Sequence, residues 1–199
     1  PACIVAIAAQ KTNRSCKLVY DRDDDMRITG KRHDFVSSYK VGFDKNGVIN
    51  ALRIQHDMRC GMSMDLSGAI AERALMHSEN SYYIPNAEFI ANLYKTNTPS
   101  NTAFRGFGGP QGMLAMERVI DEIAHFLKLD PYIVRKRNFY SDRQKTKQKQ
   151  QQTPYGQNIT DCIINDLTVK LAKSSDYQNR RKEIEKSNKT SNTIKRGIA

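Results

Sequence analysis

Cysteine is sparse and scattered in this chain of 199 residues: Cys3, Cys16, Cys60 and Cys162 stand far apart, with no Cys-x-x-Cys pair and no histidine at zinc-ligand spacing. That spacing argues against a disulfide framework or a zinc site, and free thiols point to a reducing compartment, the cytoplasm by default. Long apolar runs are missing too. The longest, Ala2 to Ala9, falls well short of the ~20 residues that span a bilayer, and no signal segment is visible. The acidic run Asp21 to Asp25 lacks the sixth-position glycine and distant glutamate of an EF-hand, so it reads as a charged loop.

Acidic residues are in deficit, with 21 against 32 Lys and Arg, for a formal net charge of +11. The excess is uneven: residues 141 to 199 hold 13 basic and 6 acidic residues, and the preceding 140 are nearly balanced. Basic chains often bind nucleic acid. These lysines, however, sit among Gln and Asn without interleaved aromatics, which favours a solvated or subunit-facing surface. At 39% hydrophobic residues the chain is long enough and apolar enough for a true core.

Periodicity predicts an α+β chain in which a β-hairpin and short strands pack with several helices. Residues 2 to 9 read as the latter part of a buried helix, and Cys16 to Tyr20 as a short strand. Arg32 to Phe43 and Val48 to Arg59 flank Asp44-Lys45-Asn46-Gly47, where Asn-Gly is a strong hairpin signal. Leu52, Ile54 and His56 alternate with Arg53, Gln55 and Asp57, giving one covered and one wetter face. Asp65 is a candidate cap for a helix through Leu66, Ile70, Ala74 and Leu75. Phe89 to Tyr94 reads as a further strand. Met113, Met116, Ile120, Ile123 and Leu127 form the apolar stripe of a helix, with Glu117, Arg118, Asp121 and Glu122 outside. Asp130-Pro131 opens another helix. Lys145 to Gln152 is low-complexity and reads as a mobile loop, and helical patterns at Ile159 to Ala172 and Tyr177 to Lys186 follow.

The most informative stretch runs from Asn97 to Gln111. Here Gly106, Gly108 and Gly109 interleave with Phe104, Arg105 and Phe107 just before Pro110. Glycine allows positive φ and close backbone approach, and a helix start offers free N–H groups to an anion. Arginine and an aromatic two residues apart suit a planar, polar ligand. The plainer alternative is a glycine turn that introduces a helix.

Thr102-Ala103-Phe104-Arg105-Gly106-Phe107-Gly108-Gly109-Pro110-Gln111 resembles the molybdenum-binding subunit of the xanthine dehydrogenase group, within the molybdenum hydroxylases. The likeness extends over Asp21 to Tyr140, through Ile28-Thr29-Gly30-Lys31-Arg32-His33, Tyr39-Lys40-Val41-Gly42-Phe43, Glu72-Arg73-Ala74-Leu75 and Ile84-Pro85-Asn86. It implies a molybdenum-molybdopterin cofactor. Residues 1–140 would form part of the molybdopterin-binding domain, and 141–199 a basic helical extension leading to a second molybdopterin-binding region.

By the same resemblance, Arg105 lies at the molybdenum centre, with Gly106 and Gly108 shaping the cofactor loop. Phe107 packs against a purine substrate, and Arg73 faces that substrate and steadies negative charge on it. Aldehyde-oxidising relatives usually lack that arginine, so Arg73 favours purines. Each has a plainer alternative: an ion pair of Arg73 with Glu72 or Glu79, Phe107 as core, Phe104 as packing. Gln111 is a weaker candidate for a cofactor contact, and His33, His56, His77 and His125 read as structural.

The implied chemistry is hydroxylation of a ring carbon, hypoxanthine to xanthine to urate. Its base glutamate lies outside the chain, so no catalytic residue is assigned here. A Gly-Gly-Phe-Gly-Gly-Lys-Glu run and motifs for iron–sulfur clusters and FAD are also lacking. The expectation is therefore an internal segment, inactive alone, whose partners are the rest of the large subunit and a small FAD/iron–sulfur subunit. Aldehyde or other N-heterocycle hydroxylation is the alternative within the class. A basic nucleic-acid-binding or assembly module is the alternative outside it.

Overall fold

The computed structural model describes residues 1–141 and 151–198. Its centre is a three-stranded sheet, ordered β1 (Phe35–Phe43), β2 (Ile49–Gly61) and β3 (Ala87–Lys95). β1 and β2 form the antiparallel hairpin expected from Asn46-Gly47. Asp44 closes its turn by accepting from the Asn46 and Val48 amides at 2.8 and 2.9 Å, and Gly47 takes φ +80°. β3 runs parallel to β2, and a parallel pair needs a crossover. α3 (Ser67–Met76) lies in that crossover and packs against β3.

The alternation in β2 is borne out: Leu52, Ile54, His56, Met58 and Cys60 are buried, whereas Arg53 and Arg59 are exposed. α4 (Gly109–Leu127) lays Met116, Val119, Ile120, Ile123 and Ala124 over Ile49, Leu52 and Ile54 to form the main core. Full burial of such side chains contributes about 1.5–3 kcal/mol each. A second cluster of Met58, Cys60, Ile70 and Ala71 lies between β2 and α3. α5 (Pro131–Asn138) starts as expected, with Asp130 accepting from the Tyr132 amide at 2.8 Å. At its end, buried Asn138 donates to the Gly47 carbonyl and accepts from the Ile49 amide, both at 2.8 Å, which pins the hairpin.

Several expectations are corrected. α1 (Ala2–Thr12) is a helix but buries no residue, and Ile4 and Ile7 are exposed. Cys16 to Tyr20 pairs with no strand and is irregular. The acidic run is not a loop: Asp21 caps α2 (Arg22–Ile28) by accepting from Asp24 N at 2.8 Å. Asp23, Asp24 and Asp25 then complement the positive end of the helix dipole. Asp65 caps nothing; it sits at φ +42° and α3 begins after Leu66.

Nor is Glu117 outside. It receives the Tyr82 hydroxyl at 2.6 Å, the Asn80 amide at 2.8 Å and Arg135 at 2.7 Å, so its charge is neutralised beside the core. Met113 is exposed rather than part of the core stripe. The last two helices, α6 (Ile164–Ser174) and α7 (Tyr177–Thr190), are present. α6 starts later than expected: residues 159–163 are not helical, and the Ile159 amide donates to the Gln151 carbonyl. These helices meet the rest of the chain where Asn165 donates to the Tyr140 carbonyl and Tyr177 to Asp130. Residues 145–150 of the low-complexity run lie outside the described residues.

Glu79 is a buried carboxylate, 2% exposed, whose Oε2 has no partner among the described residues. Burial pushes its pKa up to about 7 from an ordinary 4.5. The folded value lies above the unfolded one, so the contribution of Glu79 to stability is greatest below pH 4.5 and falls as pH rises towards 7. Glu79→Gln is expected to raise the unfolding free energy at pH 8 by about 3 kcal/mol and to leave it unchanged at pH 4. Urea unfolding at the two pH values measures this.

Candidate functional site

The chain between β3 and α4 is built against three neighbours, the end of β2, the segment Gly30–His33 and helix α3. Buried Asn101 fixes its start, its amide donating to the Cys60 carbonyl at 2.9 Å and its side chain to the Arg59 carbonyl at 3.0 Å. Thr102 N then donates to the Lys31 carbonyl at 3.1 Å. Two tight turns follow, Phe107 N to Phe104 O at 2.8 Å and Gly109 N to Gly106 O at 2.9 Å.

Gly106, Phe107 and Gly108 all have positive φ, +91°, +50° and +97°. A non-glycine residue is disfavoured there, so the Phe107 backbone must be held by its surroundings. Its ring supplies the anchor by packing partly buried against the Met58, Cys60, Ile70 and Ala71 cluster. The plainer reading of Phe107 as core is thus half true: the side chain is seated on the core and is not enclosed by it.

Gly108 and Gly112 allow α4 to dock backbone to backbone on α3. A Cβ on Gly108 would stand 2.1 Å from the Ile70 carbonyl oxygen, and one on Gly112 2.3 Å from that of Ala74. Arg73 projects from this same helix. It is exposed and forms no ion pair with Glu72 or with buried Glu79, so the ion-pair reading is not realised. Burial and the charge of Arg73 both push the pKa of nearby His77 down, and the His77 ring lies under Gly109.

Arg105 is exposed at the tip of the loop. Its carbonyl accepts from Arg32 at 2.6 Å, and the Arg32 guanidinium covers the Phe104 ring at 4.3 Å. Phe104 is therefore 53% exposed and a cation–π platform, not packing. Gln111 donates to the His33 carbonyl at 3.1 Å, while its Oε1 is buried without a partner among the described residues. A recess of about 380 Å³ lined by His33, Tyr39, Gln111 and Arg118 reaches the motif there.

Two of the four histidines, His33 and His56, are hydrogen-bonded structural residues as read, whereas His125 is exposed. His56 is held between Ser37 and Ser78 at 2.8 and 3.0 Å, and His33 meets Ser67 at 2.7 Å. Burial lowers the pKa of both, against the pull of Asp57 on His56 and of Asp65 and Asp34 on His33. Sequence reasoning assigned no role to Arg32, although it quoted the segment containing it. Its contact with Arg105 spans 73 residues, which no local pattern reports.

Among the described residues no group of three His, Cys, Asp or Glu is placed to hold a metal ion. The loop offers donors instead: the amides of Arg105, Gly106 and Gly108 meet no carbonyl among the described residues, and Arg32 Nη1 is buried and unpartnered. That set fits an acceptor-rich group that brings its own metal ligands.

Residues 1–139 match the family model for the molybdopterin cofactor-binding domain. The chain is 45% identical over 194 residues to xanthine dehydrogenase/oxidase of Mus musculus, covering 98% of this chain and 14% of that protein. It is 41% identical over 199 residues to nicotinate hydroxylase of Emericella nidulans, covering all of this chain and again 14% of that protein. Aldehyde oxidoreductase from Desulfovibrio gigas superposes with a TM-score of 0.76 at 28% identity, over 96% of this chain and 20% of that one. The chain thus spans about a seventh of the length of the curated relatives it matches. On the match across residues 1–139 and the loop geometry it contains, the chain belongs to the molybdopterin cofactor-binding domain family.

Proposed function

We propose that this chain is the part of a xanthine dehydrogenase-type molybdenum hydroxylase that holds one side of the cofactor and substrate site. The observation that carries the reading is the Phe104–Gly109 loop, docked through Gly108 on a helix that presents an exposed Arg73 with no ion pair among the described residues. In this reading Arg105, Gly106 and Gly108 hold the cofactor, Arg105 lies closest to the metal, and Phe107 and Arg73 meet a purine. Residues 1–140 belong to the cofactor domain, and 141–199 lead towards a second molybdopterin-binding region. The partners are the rest of the large subunit and an FAD/iron–sulfur subunit, in the cytoplasm.

When bound, the molybdenum-pterin group supplies the oxidising chemistry of ring-carbon hydroxylation. The residues of this chain supply placement and charge. Phe107, fixed by its seat on the second cluster, orients a planar ring at a gain of about 1 kcal/mol beyond its buried area. Negative charge grows on the heterocycle as the attacked carbon becomes tetrahedral. Arg73 stabilises that charge as an oxyanion-hole donor does, by about 2–4 kcal/mol. No general base is assigned within the chain, so the isolated 199 residues are expected to be inactive.

A second reading, hydroxylation of another N-heterocycle or an aldehyde, is favoured by the likeness to the nicotinate hydroxylase and the aldehyde oxidoreductase. The test is to express the whole protein with its partner subunits and measure bound molybdenum and turnover of xanthine against benzaldehyde and nicotinate. Molybdenum with a clear xanthine preference supports the purine enzyme. Molybdenum with turnover of only the other two keeps the family and sinks the purine assignment.

A further inference from the structure

We infer that Arg32 is a positioning residue for the cofactor loop, clamping the backbone of Phe104–Gly106. The inference rests on the proposal that this loop holds the molybdopterin group. Arg32 stands in a segment that runs along the loop. Lys31 accepts from Thr102, His33 accepts from Gln111, and a Cβ on Gly30 would lie 2.3 Å from the Ser100 carbonyl oxygen.

Within that seam one guanidinium makes two different contacts. Nη2 donates to the Arg105 carbonyl at 2.6 Å, and Cζ lies over the Phe104 ring, 4.3 Å from its centre. A planar, delocalised cation does both at once, whereas the single ammonium of a lysine cannot make the ring contact and the directed bond together. Nη1 is buried without a partner among the described residues, 3.9 Å from where a Gly106 Cβ would stand, so it adds an N–H to the donors of the loop. The clamp acts on the residue that precedes three consecutive positive-φ positions. Holding the Arg105 carbonyl therefore limits how far Gly106, Phe107 and Gly108 can relax.

The test compares the whole protein, prepared without molybdenum, as wild type, Arg32→Ala, Arg32→Lys and Phe104→Leu. Hydrogen exchange is read by mass spectrometry at the two hydrogen-bonded amides of the loop, Phe107 and Gly109, and over residues 116–124 in the α4 core. Arg32→Ala is expected to speed exchange of the loop about tenfold or more, with the α4 core unchanged. Arg32→Lys is expected to recover part of the protection, and Phe104→Leu to lose part of it. Equal loop exchange in wild type and Arg32→Ala overturns the clamp. So does an acceleration that extends equally to residues 116–124, which marks a merely structural role.

Bound molybdenum in protein made with the cofactor separates the two proposals. A wild type without molybdenum overturns the cofactor reading and leaves the exchange comparison to decide the clamp. Molybdenum retained by wild type and reduced in Arg32→Ala carries the clamp through to cofactor binding.

Discussion

An Arg73→Met variant of the whole protein is expected to lose xanthine turnover by about 10²- to 10³-fold while turnover of an aromatic aldehyde changes far less, the magnitude of one oxyanion-hole donor. The argument starts from α3, which places Arg73 on its exposed face while Ile70, Ala71 and Ala74 fill the other. Among the described residues the guanidinium has no ion pair to break before it serves a ligand. Methionine keeps the length and apolar stem and removes the charge, so the helix and its dock with Gly108 are preserved. The loss should appear mainly in kcat, because the negative charge on a purine is greatest in the transition state. Equal losses on xanthine and benzaldehyde would remove Arg73 from substrate recognition.

Gly108→Ala is the second large effect, and it acts on structure. At φ +97° the new Cβ would stand 2.1 Å from the Ile70 carbonyl oxygen and 3.2 Å from the Ala74 amide nitrogen. Neither neighbour is the end of a flexible side chain; both are helix backbone, so α3 and α4 must part. A destabilisation on the order of 3 kcal/mol or more is expected, together with loss of bound molybdenum. Gly156→Ala supplies the control. It shares the left-handed backbone, at φ +88°, but a Cβ there meets nothing within 4 Å, so it should cost only about 1 kcal/mol. Thermal unfolding of both variants separates the clash from the conformational penalty; similar losses would mean that the α3–α4 contact is not tight.

The readable parts of the fold are those with local causes. The hairpin follows from Asn46-Gly47, the buried face of β2 from alternation, α4 from its three- and four-residue spacing, and α5 from Asp130-Pro131. The misreadings share a cause as well. Asp21 to Asp25 has the composition of a solvated loop, and only the hydrogen bond from Asp24 N to the Asp21 side chain reveals a helix start. Cys16 to Tyr20 has strand propensity but no partner, and a strand exists by its pairing. Glu117 lies on the polar side of the α4 pattern. Tyr82, Asn80 and Arg135, all distant in sequence, make a partly buried position favourable for it.

Residue order alone sets the chemistry on offer: a glycine loop able to take positive φ, an arginine and an aromatic within it, and a second arginine on a helix, in an order that marks the molybdopterin cofactor-binding domain family. Tertiary structure decided what those residues touch. It seats the Phe107 ring on a cluster drawn from β2 and α3, docks Gly108 on α3 so that Arg73 shares that helix with the loop contact, and brings Arg32 across 73 residues to the Arg105 carbonyl. Conformational permission is local and can be read from residue type. Contacts between residues far apart in sequence depend on the sheet register and on how the helices pack over it, and those are properties of the whole folded chain.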